Sequence, residues 1–249
     1  MKILAVDTSS KNASVAILDN ENVLLELNND DEKTHSQKLM PMIDEAFKNS
    51  NLCLDNIDLI SCCLGPGSFT GVRIGITTCK AFADSKNIAL TGVSSLEALA
   101  YNLNKQGLIC SLINANNGNV YAGIFKITDN KTVENKLDFI CLKDSNGNIV
   151  SDNLLNFINS FTSDYNNIYF VGDGAILYNE LIKNLCKNNN LNFKIFDESY
   201  CNSTGISIAR IGYTKYKNGD YGNSDYVSPI YLRKSQAEIA LEEKNKKDV

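Results

Sequence analysis

An α/β fold, with mixed sheets flanked by helices, is the architecture this 249-residue sequence predicts. Three observations carry the prediction. Short alternating or continuous apolar runs recur between polar turns, the mark of strands. Segments with apolar residues three and four apart fall between them, the mark of helices. Their order in a first block is β-β-β-α-β-α-β-α, and a second block near Lys105 again begins in strands and finishes in helices. The first block is taken as residues 1–104, and the second, with the tail, as 105–249. No repeat of solenoid period is present.

The elements follow in order. Ile3–Val6, Ala13–Leu18 and Val23–Leu27 are strands joined by the polar turns 7–10 and 19–22, so an antiparallel meander is expected. From Thr34 the period becomes helical, with Leu39, Met42, Ile43, Ala46 and Phe47 on one side. Pro41 should lie in the first turn or kink the helix, because it has no amide donor. Ile57–Leu64 is a nearly continuous apolar run and should be central, buried on both faces. It enters Gly65-Pro66-Gly67-Ser68-Phe69-Thr70-Gly71, followed by a helix to about Ser85. Ile88–Val93 is a strand, and Ser94 with Glu97 three residues on predicts a capping box. In the second block, Leu108–Ile113 and Val120–Ile127 flank a hairpin connection. The polar stretches 128–135 and 144–148 read as loops. Ile168–Val171 is a strand leading through Gly172-Asp173-Gly174 to a helix from about Ile176, and 206–217 is helical. The tail after Glu238 is expected to fray.

Composition narrows the function. Hydrophobic residues make up 43% and charged residues 21%, and no apolar run nears the roughly 18 residues of a membrane span. The start reaches Asp7 too early for a signal-peptide core, so a cytoplasmic protein is expected. Eight cysteines include no C-x-x-C spacing. Cys53, Cys79, Cys110, Cys141 and Cys186 have apolar or helical neighbours and read as buried free thiols. With a net charge of −5 and scattered lysines and arginines, the chain lacks an obvious basic face. Work on RNA would call for a more basic partner.

Several residues invite a chemical role. The glycine-rich turn after Leu64 could present amides to an anion, yet Gly71 is followed by Val72-Arg73 rather than the Lys-Ser/Thr of a Walker loop. Position 70, where a dinucleotide fingerprint needs its third glycine, is Thr70. In the following helix Gly71, Gly75, Cys79 and Ala83 recur every four residues and form a stripe of little bulk. That stripe suits either another subunit or the chain's own sheet. Asp7, at the end of the first strand, is placed for a catalytic or magnesium role or for capping turn amides. Asp173 has the same two readings. His35 is the single histidine, so neither a paired-histidine metal site nor a serine hydrolase is supported. Ser68 also lacks the G-x-S-x-G setting, since position 66 is Pro66.

The motifs Ile3-Leu4-Ala5-Val6-Asp7-Thr8-Ser9, His35-Ser36-Gln37-Lys38-Leu39-Met40-Pro41, Gly65–Gly75, Ser94–Ala100 and Pro229-Ile230-Tyr231-Leu232-Arg233 occur in an order that resembles the TsaB family. These are bacterial subunits of the machinery that makes threonylcarbamoyladenosine in tRNA. The resemblance implies a two-lobed, ribonuclease H-like fold of the actin/Hsp70/sugar-kinase type. It implies a non-catalytic partner of a TsaD-like catalytic subunit, with a TsaE-like ATPase as third member and tRNA contacted only indirectly or weakly. It also implies no metal and no cofactor of the chain's own, ATP being used by the partners. TsaB-like proteins self-associate through the first two helices, which makes Leu39, Met42, Ile43, Phe47, Gly71, Gly75, Cys79 and Ala83 the interface candidates, for partner and homodimer alike. Asp7, Ser9, Gly172 and Gly174 are candidates for a vestigial nucleotide site. Where the family carries Asp-Ala-Arg this chain has Asn114-Ala115-Asn116, so both charges are gone. The competing class is a small-molecule kinase or ATPase of the same fold, which would turn over magnesium-ATP and lose that activity in Asp7→Asn.

Overall fold

The computed structural model describes residues 1–29, 34–103, 105–128, 131–144, 146–161 and 167–233. The first meander forms as expected: β1 (Lys2–Asp7), β2 (Ala13–Asp19) and β3 (Asn22–Asn29) pair antiparallel in turn. The helix α1 (His35–Ser50) crosses to β4 (Leu59–Cys63), which pairs parallel with β1. After the glycine turn, α2 (Phe69–Lys86) leads to β5 (Ala89–Val93), parallel to β4. The sheet order is β3-β2-β1-β4-β5, and β4 is buried along its whole length between two neighbours.

The short helix α3 (Ser95–Asn102) then hands the chain to a second sheet of β6 (Gly107–Asn114), β7 (Asn119–Thr128) and β8 (Lys131–Cys141). The helix α4 (Asp152–Phe161) follows, then β9 (Asn167–Val171), α5 (Asp173–Leu177), α6 (Asn179–Asn188) and β10 (Asn192–Ile195). Read outward from β8, the order is β8-β7-β6-β9-β10. That repeats the first sheet strand for strand, with the same two antiparallel and two parallel pairings. The shared pattern of the two blocks is therefore a duplicated sheet topology.

The layers follow from alternation along the strands. On β1, Leu4 and Val6 face the core under α1 and α2, whereas Ile3 and Ala5 face the opposite core. That second core is closed by α7 (Gly205–Lys217), through Ile208, Ala209 and Ile211. On the second sheet, Ile109 and Phe125 pack beneath α3, while Cys110 and Ile124 meet α4 and α6 on the far face. The helices α3 and α7 thus fill the space between the two sheets.

Several expectations change. The boundary after 104 separates the sheets, yet the chain does not stay in the second half. α7 returns to the first sheet, Gly222 bridges to Leu90, and Val227 joins the core under α1 and α2. Its apolar face finds uncovered sheet there, and the small residues Gly205 and Gly212 let it lie close. The polar stretch from 128 holds β8, an edge strand whose one-sided contact leaves little apolar signal. The helix α4, with Leu154, Phe157 and Ile158 buried, and β10 were also not anticipated. Pro41 lies within α1, beyond its first turn. Ser94 Oγ caps α3 by accepting the Leu96 amide at 3.3 Å, but Glu97 is directed to Lys215, 3.9 Å away, so the capping box is not made. The helix expected from Ile176 starts at Asp173. All eight cysteines are free thiols, as expected, although Cys53 and Cys141 are exposed. The tail expected to fray lies outside the described residues.

Candidate functional site

A cleft of about 880 Å³ opens between the two halves, at the carboxyl ends of the parallel strands. In open α/β sheets ligands bind at these strand ends, where loops and helix N-termini converge. Its first wall is the turn after β1, with Ser9, Ser10 and Lys11, and the glycine loop, with Gly67, Ser68 and Phe69. Its second wall holds Asn114, Asn116 and Asp173 after β6 and β9. Cys201–Ser203 and Arg233 close it from the C-terminal side.

The first wall is built by close backbone approach. The Ser68 amide donates to the Ser9 carbonyl at 2.7 Å, and Thr8 Oγ1 donates to the Gly71 carbonyl at 2.7 Å. A side chain on Gly67 would meet the Ser9 carbonyl oxygen, one on Gly71 the Thr8 carbonyl oxygen, and one on Gly75 the Thr8 hydroxyl. Ser68 Oγ accepts the Gly71 amide at 3.2 Å and caps α2. The second wall repeats the device: Gly172, at φ +98°, and Gly174 press against the backbone of Leu112 on β6.

These contacts locate the residues singled out from the sequence. The stripe Gly71, Gly75, Cys79 and Ala83 is turned into the chain's own core, as are Leu39, Met42 and Ile43. The structure gives those seven to internal packing, because α1 and α2 both need their apolar faces to cover the first sheet. Phe47 alone of the eight is half-buried. Of the nucleotide-site candidates, Ser9 lines the cleft and Asp7 lies just beneath it, 2% exposed. Asp7 Oδ1 accepts the Ser9 amide at 2.8 Å, and Oδ2 accepts the Ser203 hydroxyl. Gly172 and Gly174 shape the second wall without lining it, and Asp173 Oδ1 accepts the Asn114 amide at 2.9 Å.

A nucleotide with a divalent cation, which this type of fold implies, fits these residues poorly. The carboxylate at the end of β1 is buried and committed through both oxygens to Ser9 and Ser203. Among the described residues the cleft instead carries Lys11, Arg73 and Arg233, with Asp173 as its one acid. Two of these cations are placed by the C-terminal segment. Tyr231 stacks on Phe69, with ring centroids 5.3 Å apart, and its hydroxyl accepts from Arg73 Nε at 2.8 Å. The Ile230 amide donates to the Leu64 carbonyl at 2.8 Å, and Arg233 Nη1 reaches the Ala115 carbonyl at 3.5 Å. Arg73 and Arg233 stand in quoted motifs, and Lys11 directly follows the Ser9-Ser10 turn. Ser203 had no local signal at all.

His35 opens α1 with its imidazole against Gly71, and its Nδ1 makes no hydrogen bond. Burial, followed by the nearby Lys38 ammonium, holds its pKa below the usual 6.5, against the opposing pull of Ser10 and Asp7. The folded state therefore binds this proton less tightly than the unfolded chain. Its contribution is complete above pH 6.5 and is lost as the pH falls from there through the lowered folded pKa. Urea denaturation from neutral pH to about pH 5.5 should show stability falling in the wild type and falling less in His35→Gln. Equal slopes would remove His35 as the cause.

Two sheets of identical topology facing across a cleft, each with a glycine turn against its first strand, define a two-lobed protein of the actin-like class. ROK hexokinase from Thermus thermophilus shares this fold, with a TM-score of 0.54 and 12% identity over 88% of this chain and 100% of that one. YeaZ from Pseudomonas aeruginosa superimposes with a TM-score of 0.73 and 21% identity, covering 93% of this chain and 99% of that one. The model of the family described as TsaD, tRNA N6-adenosine threonylcarbamoyltransferase, matches residues 28–241, and the chain belongs to this family. It is similar to the tRNA threonylcarbamoyladenosine biosynthesis protein TsaB of Bacillus subtilis (strain 168), 38% identical over 127 residues, which are 51% of this chain and 56% of that protein. The TsaB resemblance read from the motifs thus agrees with the curated relatives. The chain spans about half the length of the curated relatives it matches.

Proposed function

We propose that the chain serves in forming threonylcarbamoyladenosine in tRNA, as a non-catalytic subunit that binds and supports a TsaD-like catalytic partner. The family match across residues 28–241 supports a role in this modification, and the observation that favours the subunit reading is the likeness to relatives named TsaB. The committed hydrogen bonds of Asp7 favour a supporting role over a kinase-type one. A TsaE-like ATPase is the further partner, ATP is used by the partners, and the chain pairs with itself when alone. The setting is the cytoplasm; among the described residues no helix is long and apolar enough to cross a membrane.

The partner surface we assign to α1 and α2 uses their outward residues. Met40 is 50% exposed, and Ile74, Phe47 and Phe82 are half-buried. A side chain added at the interface candidate Gly75 would clash with the Thr8 hydroxyl and so would test folding rather than the partner surface. Met40→Asp and Ile74→Asp place a charge on the outer face instead. Each should weaken capture of the TsaD-like protein by tenfold or more, about 1.4 kcal/mol. Thermal melting should change little for the exposed Met40→Asp and fall for Ile74→Asp, whose side chain also packs against the core. Undiminished capture by both variants would overturn the surface. Failure of the wild-type chain to bind a TsaD-like protein at all would overturn the function.

A further inference from the structure

We propose that the interlobe cleft binds an unpaired stretch of RNA through its phosphates, held by Lys11, Arg73 and Arg233 without a divalent cation. The inference rests on the tRNA-modification reading and names a contact surface for it. Three features of the cleft point to this ligand.

The first is charge. The whole chain carries −5, yet among the described residues the cleft gathers three cations from three separate elements, with Asp173 as its one acid. Lys11 comes from the β1–β2 turn, Arg73 from the start of α2, and Arg233 from the C-terminal segment where it touches the second lobe. Such an excess in an acidic protein is a local feature, and it selects an anion. Drawn from the first wall and from the C-terminal side of the cleft, it suits a chain of phosphates better than one compact phosphate group. Each arginine keeps free N–H donors: Arg73 uses Nε on Tyr231 and Arg233 uses Nη1 on Ala115, out of five donors per guanidinium.

The second is the handling of the metal question. A free nucleoside di- or triphosphate in a fold of this type would call for a carboxylate to share a cation, and Asp7 is buried beneath the wall with both oxygens engaged. A phosphodiester carries one charge per residue, and side-chain cations neutralise it by displacing its counterions.

The third is size and lining. About 880 Å³ lies near the upper end of the ~300–1,000 Å³ range of small-ligand pockets, leaving room for more than one nucleoside unit. Phe69 offers one ring face, the other being stacked on Tyr231, and Ser10, Asn116 and Asn202 offer donors and acceptors for ribose hydroxyls and base edges.

The test uses the full chain, alone and bound to its TsaD-like partner, with a fluorescent unmodified tRNA anticodon stem–loop in the presence of EDTA. Lys11→Gln, Arg73→Gln and Arg233→Gln should each weaken binding severalfold, and the triple variant by on the order of 100-fold. The slope of log K against log salt should fall by about 0.7 for each charge removed. Lys11 is exposed, so its replacement keeps the test valid even if Arg233→Gln loosens the lobes. Binding that needs magnesium, or that the triple variant retains, overturns the proposal. ADP that occupies the cleft while the RNA does not bind overturns it in favour of a free nucleotide. Capture of the TsaD-like protein by the triple variant separates the two claims: if capture persists while the RNA fails to bind, only the RNA site falls.

Discussion

Gly71→Ala is expected to cost about 3 kcal/mol of folding stability, toward the top of what overpacking at a buried position costs. The added methyl carbon would lie 2.1 Å from the carbonyl oxygen of Thr8, a backbone atom that cannot rotate away. Relief would require α2 to lift from the β1 turn. That movement would strain the Thr8 hydroxyl bond to the Gly71 carbonyl and the Ser68 amide bond to Ser9. Gly75→Ala meets the Thr8 side chain rather than its backbone, so a smaller loss is expected there. Urea denaturation of both variants, with exposed Glu45→Ala as reference, decides the matter. A Gly71→Ala protein within about 0.5 kcal/mol of wild type would refute the close packing described for the first wall.

Asp7→Ala should destabilise the protein by about 2–4 kcal/mol, because two buried donors would be left without an acceptor. These are the Ser9 amide and the Ser203 hydroxyl, the latter 196 residues away in sequence. Ser203→Ala should cost less, since Asp7 keeps the Ser9 amide. In a double-mutant cycle the pair should couple by about 1–3 kcal/mol. Additive losses would mean that Asp7 does not tie the end of β1 to the segment before α7. The same pair of variants bears on the kinase alternative. A carboxylate serving chemistry would be missed mainly in turnover, whereas this one is missed mainly in stability.

Local pattern made much of the fold legible. Alternation and turn residues disclosed the first meander, and continuous apolarity placed β4 in the middle of its sheet. The change to helical period located the start of α1 and the end of α2 to within a residue or two, whereas α2 begins at Phe69, inside the turn expected to run to Gly71. The glycine loop was legible as a site because close backbone approach demands glycine, wherever the approaching backbone comes from. What escaped has a common cause. β8 is an edge strand and β10 is short and half-exposed, so neither imposes a strong apolar code on its residues. The stripe of small residues along α2 announced that something packs closely there, without saying what. The answer, the β1 turn and the chain's own sheet, lies some sixty residues upstream for Gly71.

By itself, the sequence determined the two strand-rich blocks, the helices covering the first of them, the glycine turn and the family motifs, because these depend on residue period, backbone freedom and short-range capping. Only the tertiary structure decided that α7 returns to the first sheet, that Asp7 is bound to Ser203, and that Lys11, Arg73 and Arg233 meet around one cleft. Which apolar face covers which sheet, and which charges come to share a space, is settled by packing between segments far apart along the chain. Near neighbours in sequence carry no record of that choice.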